Sequence, residues 1–208
     1  GYFKRYSRFF FDGGKYKNEN DILLQAEKML TEGATFIDVG AYSSRPGAVH
    51  ISEEEELQRI VPVIELLVKN FPEIIISVDT FRSKVATQTI NAGAAIVNDI
   101  SGGNMDSEMF TTIANLQVPY IIMHMLGTPQ NMQQNPQYKN VTHEVISFFA
   151  NQINKLHQLK VNDIIIDVGF CFGKTIEHNY KLLKNLAIFK NLDAPILAGI
   201  SRKSMLYK

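Results

Sequence analysis

Four polar residues close apolar runs in this chain: Asp38 in ATFIDVG, Asp79 in IIISVDT, Asn98 in AAIVNDISGG and Asp167 in DIIIDVG. A carboxylate at the end of a buried strand costs several kcal/mol if left dry and unpaired, so these side chains are expected to face a polar site. Any one of them alone is equally well explained as a helix cap or a member of a buried ion pair. Two carboxylates plus an amide in one cleft suit a ligand carrying ring N–H and amino donors, because each carboxylate accepts two parallel hydrogen bonds. Hydroxyls and cations come from Ser44 and Arg45 in SSRPG and from Ser201, Arg202 and Lys203 in SRKS, and these would bind anionic groups. An isolated Arg or Lys is usually a solvated rim charge. Lys203, close behind a buried strand and a serine, is the better candidate.

His124 in IIMHM has an apolar neighbourhood and reads as a hydrogen-bonded structural residue with no chemistry assigned. Met123 and Met125 read as core or pocket lining. Phe170 and Phe172 in GFCFGK either stack on a flat ring or pack, and spacing does not choose between these. The histidines are scattered, with no HxxxH or CxxC spacing for a transition metal. Any ion is therefore expected to be hard, oxygen-bound and shared with a phosphate ligand. No G-x-S-x-G turn supports a serine hydrolase.

The elements that position these residues alternate. Helical periodicity covers Asp21 to Thr31, Ser52 to Asn70, Ser83 to Asn91, Ser107 to Asn115, Val141 to Leu159 and Thr175 to Lys190, between the strand-like runs. The second helix is the clearest. Ser52 and Glu55 have capping-box spacing, acids fill the first turn, and Leu57, Ile60, Ile64, Leu67 and Val68 form a stripe, with Pro62 expected to kink it. Gly33 and Gly93 fall where left-handed residues end helices. Repeated βα units predict a parallel sheet with right-handed crossovers, and polar chemistry past nearly every strand favours a (β/α)₈ barrel over an open sheet. The segment from Gly127 to Asn140 is the expected long rim loop.

With 208 residues, 45% hydrophobic, the chain is expected to form one domain over 1–208. Charges balance at 21 against 21 without a basic patch, so no nucleic-acid or membrane partner is expected, and no run reaches spanning length. The single cysteine, Cys171, excludes an internal disulfide and suggests a reducing, cytoplasmic setting. Gly1 is expected to be a cut end.

The segments FFDGGKY, DVGAYSSRPGA, SVDT, VNDISGG, HMLGTPQNMQ, DVGFCFGK and GISRKS, in this order, closely resemble the motif series of bacterial dihydropteroate synthase, over nearly all the chain from Phe10 onward. The resemblance implies a (β/α)₈ TIM barrel of the pterin-binding enzymes. It further implies a transferase of folate biosynthesis, the sulfonamide target, which joins 6-hydroxymethyl-7,8-dihydropterin pyrophosphate to p-aminobenzoate. By it, Asp79, Asn98, Asp167 and Lys203 bind the pterin, with Met123, Phe172 and Gly199 lining its pocket; Asp79 and Lys203 are the catalytic candidates. Ser44, Arg45, Pro46, Ser201 and Lys203 would take p-aminobenzoate. Magnesium would assist at the pyrophosphate, and the family is commonly homodimeric when full length.

The resemblance also has breaks. Lys4 stands at the family's metal-contacting Asn and Arg8 at an Asp, while Val168, Cys171 and Ser44 replace the usual Pro, Gly and Thr. One set of codons for Lys4 to Phe11, read one base later, encodes Asn-Val-Thr-Pro-Asp-Ser-Phe, so an out-of-frame segment would account for the aberrant stretch. The chain also ends five residues after Lys203, short of the last helices and an eighth strand, so about seven strands and a poorly active barrel are expected. The competing readings are an inactive or binding-only pterin barrel fragment and a pterin-dependent methyltransferase domain, against which SSRPG and SRKS argue.

Overall fold

The helices begin where side chains can hold backbone N–H groups that no turn of helix can satisfy. Asn18 accepts from Asp21 N at 2.9 Å to start α1 (Glu19–Thr31), and Ser52 Oγ accepts from Glu55 N at 3.1 Å to start α2 (Glu53–Asn70). Asn140 does the same for α5 (Val141–Gln158), and Thr175 with His178 forms a reciprocal box at α6 (Ile176–Lys184). Each such cap is worth about 1 kcal/mol, the expected loss on Ser52→Ala. The computed structural model describes residues 6–10, 18–43 and 50–200.

These residues fall into two compact units, one within Gly1–Ser43 and Val49–Asn98, the other within Ser44–Ala48 and Asp99–Lys208. In the first unit β1 (Tyr6–Phe10), β2 (Phe36–Gly40), β3 (Ile76–Asp79) and β4 (Ile96–Asp99, whose last residue, Asp99, opens the second unit) pair in parallel and in chain order, with α1, α2 and α3 (Ser83–Asn91) between them. Registers set Gly40 beside Asp79 and Asp79 beside Asn98. In the second unit β5 (Tyr120–Met123), β6 (Ile164–Asp167) and the two-residue β7 (Ile196–Leu197) are again parallel, alternating with α4 (Met109–Leu116), α5 and α6 as helical connectors. Strands β3, β4 and β5 are buried at every residue, the mark of a parallel sheet covered on both faces.

The apolar stripe of α2 buries Ile60, Val63, Ile64 and Leu67 to 3% exposure or less, contributing roughly 1.5–3 kcal/mol per side chain. Leu57 and Val68, expected on that stripe, are half-buried, and Val63 takes their share. The helix stays a single element through Pro62. The expected helix from Thr175 to Lys190 is divided: α6 ends at Lys184, and a 3₁₀ turn follows over Leu186–Leu192. Asn185 sits at the break, its side-chain amide donating to Lys181 O at 3.0 Å and Thr142 Oγ1 at 3.3 Å. An amide that competes for the helix's own carbonyls is a physical reason to stop there. Gly33 and Gly93 hold φ of 90° and 113°, as expected of helix terminators. At Gly93 a Cβ would lie 2.9 Å from Val68, so packing as well as φ demands glycine.

Candidate functional site

In the first unit, three adjacent parallel strands carry polar side chains: Asp38 in the middle of β2, Asp79 at the end of β3 and Asn98 near the end of β4. Asp38 is fully buried, Asp79 is 3% exposed and Asn98 is 7% exposed. Asn98 Nδ2 donates to both Asp38 oxygens, at 3.3 and 3.2 Å. The glycine in FIDVG makes room for the next acid: a Cβ on Gly40 would stand 3.1 Å from Asp79 Cβ. The result is a set of carboxylate acceptors with one amide among them, shielded from water, where hydrogen-bond donors are held strongly.

Behind this row stands a network that acids in the first turn of α2 only partly announced. Glu56 continues the buried stripe; its Oε1 accepts from Thr80 Oγ1 at 2.8 Å and its Oε2 from Arg82. Burial pushes the Glu56 carboxyl above its usual range, against the opposing pull of Thr80 and Arg82. Arg82 also donates to Ile51 O at 2.8 Å and lies 5.4 Å from the Tyr42 ring centroid. The turn after β3 is thereby tied to α2, directly beyond Asp79.

One residue past Asn98, the strand alternation turns Asp99 to the opposite face. It is fully buried and accepts from Ser101 N and Oγ at 2.7 Å each, Gly103 N at 2.8 Å and Tyr120 Oη at 2.7 Å. Burial nevertheless raises its pKa, and burial with the Asp99 charge raises that of Tyr120. Asp99 is a strut for the SGG turn.

In the second unit, β5 ends in Met123 and β6 in Asp167, side by side in register. His124 N donates to Asp167 O at 3.1 Å, and Gly169 N donates to Asp167 Oδ1 at 2.9 Å. Gly169 has φ of 68°, and a Cβ there would lie 2.0 Å from His124 O, so no other residue fits the close approach of these two loops. Gly199, past β7, leaves the flank of Asp167 open, since a methyl there would come no nearer than 3.9 Å to Oδ2. Phe170 and Phe172 are both buried, at 1% and 8% exposure. The loop from Gly127 to Asn140 packs against the same turn: Gln133 donates to Cys171 O at 2.6 Å and Tyr138 Oη to Gly173 O at 2.8 Å.

Cys171 adopts φ of 68°, a left-handed conformation that explains why glycine is the residue the resemblance leads one to expect there. Lys174, present in a quoted motif but given no role from sequence, is 4% exposed, and its Nζ meets His124 Nδ1 and three backbone carbonyls at 2.9–3.0 Å. Burial first, and then the Lys174 charge, lower the His124 pKa to about 3. That histidine is buried and neutral, in keeping with its reading as a structural residue. The signal for Lys174 was a lysine closing an apolar, glycine-rich turn. Of the remaining sequence candidates, Lys4, Ser44, Arg45, Pro46, Ser201, Arg202 and Lys203 lie outside the described residues, and only the backbone of Arg8 is described, in register with Asp38.

The pterin-binding enzyme family matches residues 8–208 of this chain. The dihydropteroate synthase of Haemophilus influenzae is 43% identical over 199 residues, covering 95% of this chain and 72% of that protein. The chain belongs to the dihydropteroate synthases. Among solved structures, that of the Yersinia pestis dihydropteroate synthase in a sulfonamide drug complex aligns with a TM-score of 0.91 at 38% identity, over 97% of this chain and 76% of that one. The Xanthomonas albilineans dihydropteroate synthase with 4-aminobenzoic acid aligns with a TM-score of 0.88 at 33% identity, over 98% and 74%. The fold class of this dihydropteroate synthase family member is the (β/α)₈ barrel class expected from the order of its elements.

Proposed function

We propose that the chain joins 6-hydroxymethyl-7,8-dihydropterin pyrophosphate to p-aminobenzoate, giving 7,8-dihydropteroate and pyrophosphate in folate biosynthesis. It is a transferase by family membership. The observation that carries the reading is the set of buried polar residues at parallel strand ends, Asp79 with Asn98 in one unit and Asp167 in the other, in a chain related along 95% of its length to a dihydropteroate synthase.

A pterin offers an exocyclic amino group and ring N–H groups. Asp79 and Asp167 accept these, and Asn98 both donates and accepts. Lys203 donates to the ring carbonyl, while Met123, Phe172 and Gly199 give the ring its apolar surroundings. Ser44, Arg45, Pro46, Ser201 and Lys203 take p-aminobenzoate. In the reaction the C–O bond to pyrophosphate breaks and its electron pair leaves with the pyrophosphate. The amine nitrogen of p-aminobenzoate then forms the new C–N bond and releases a proton. A buried, weakly screened Asp79 carboxylate stabilises the developing pterin-methyl cation electrostatically, the kind of contribution that removal lowers by about 10²–10³ in rate.

Magnesium enters only as a companion of the pyrophosphate. Among the described residues no group of three or more His, Cys, Asp or Glu side chains could hold an ion, so no step is assigned to it. A single functional domain is supported by the family match, which runs across both units. A homodimer and a cytoplasmic location rest on the resemblance alone. Incubation of the purified protein with dihydropterin pyrophosphate, magnesium and p-aminobenzoate, followed by chromatography, is expected to show dihydropteroate and pyrophosphate in equal amounts. Pterin binding without any p-aminobenzoate dependence would point to a methyltransferase-type barrel and sink the proposal.

A further inference from the structure

A lysine ammonium is rarely buried without strong partners, because removing it from water is costly. Lys174 is 4% exposed, and its position is set by acceptors from two loops: His124 Nδ1 and His124 O, each at 3.0 Å, Gly169 O at 2.9 Å and Phe172 O at 3.0 Å. The first pair lies directly past β5 and the second directly past β6. These are the carbonyls of residues whose other atoms shape the end of β6: His124 N holds Asp167 O, and Gly169 N holds Asp167 Oδ1 at 2.9 Å. A third tie comes from Asn179, whose Oδ1 accepts from Cys171 N at 2.8 Å. The Gly169 to Lys174 turn is thus fixed at both ends and in its middle.

We propose that Lys174 is a positioning residue for pterin recognition: by drawing the carbonyls of His124, Gly169 and Phe172 onto one ammonium, it fixes the turn that aims the Asp167 carboxylate and places Phe172. This rests on the functional reading above. Lys174 touches no substrate; it acts through Gly169 N–H on the carboxylate and through the Phe172 backbone on the ring.

The test is a fluorescence titration of the protein with 6-hydroxymethylpterin, followed by steady-state kinetics. Lys174→Met is expected to weaken pterin binding at least tenfold and to leave the KM for p-aminobenzoate within twofold. Lys174→Gln, which retains two N–H donors, is expected to weaken pterin binding at least threefold, between Met and wild type. A folded Lys174→Met protein that binds pterin within twofold of wild type overturns the proposal; if that variant does not fold, the Gln variant is judged by the same criterion. A measurement on the unaltered protein is independent of folding: the ¹⁵N spectrum of His124 at neutral pH is expected to show the proton on Nε2, because Nδ1 accepts from Lys174. A proton on Nδ1 overturns it. Wild-type protein that fails to bind pterin defeats the functional reading itself, whereas pterin-binding wild type with an unaffected Lys174→Met variant defeats only this inference.

Discussion

Asn98 and Asp99 are neighbours in the chain, yet their side chains meet opposite treatment. The amide of Asn98 reaches the Asp38 oxygens at 3.2 and 3.3 Å, the long end of the range for an N–H donor. The carboxylate of Asp99 takes four donors at 2.7–2.8 Å. Short, saturated bonds describe a group whose task is to hold the turn that follows it. The longer bonds between Asn98 and Asp38 leave these groups less saturated than Asp99, in keeping with the role proposed for Asn98 in ligand recognition. The second unit shows both treatments in one turn: Asp167 stands at the strand end, while Lys174 behind it is saturated by backbone.

The sharpest way to break this comparison is Asp99→Ala, which would strand the buried donors of Ser101, Gly103 and Tyr120. A loss of about 5 kcal/mol in unfolding free energy is expected, measured by urea denaturation. A loss below about 1 kcal/mol would mean the strut reading is wrong.

Acid titration probes the saturated side of the second unit. His124 is held near pKa 3, below its unfolded value of 6.5, so the unfolded chain binds more protons. The stability it confers is therefore complete above pH 6.5 and is lost as pH falls toward 3, by up to roughly 5 kcal/mol. Unfolding curves between these limits should be visibly flatter in His124→Gln than in wild type. Glu56 and Asp99 act in the opposite sense, since raised pKa values give stability that is present below about pH 4 and declines as pH rises through their folded values.

For the strand-end row, Asp79→Asn is expected to lower kcat/KM by about 10²–10³ while moving the unfolding free energy by no more than about 1 kcal/mol. Equal damage to stability would place Asp79 with Asp99 and erase the distinction. The smallest effect is expected at Cys171→Gly, which relieves a left-handed backbone at φ 68° and should raise stability by about 1 kcal/mol. Thermal melts resolve that gain, and an unchanged melting temperature would show the strain is compensated.

Much of this was legible beforehand because it depends on local pattern. Continuous apolar runs placed the strands and period-3.6 patterning the helices, Ser52 and Gly33 marked helix ends, and polar residues closing apolar runs located Asp38, Asp79, Asn98 and Asp167. Glu56 and Lys174 were not legible. One looked like an ordinary first-turn acid and the other like one more motif lysine, and only partners 26 and 50 residues away along the chain, Arg82 and His124, show that they are buried. Asp99 escaped notice for a related reason. Its separation in role from Asn98 depends on which strand face it takes and on Tyr120, 21 residues on.

By itself, then, the sequence determined the order of elements, the Ser52 cap, the glycine helix ends, the polar residues closing apolar runs and the family, because each is written in short-range periodicity or in motif order. Tertiary structure alone decided which of two adjacent polar residues is a strut and which is presented at a strand end, and that Lys174 is a buried clamp. A hydrogen bond between distant residues is fixed by the packing of whole loops and strands, and no local spacing encodes it.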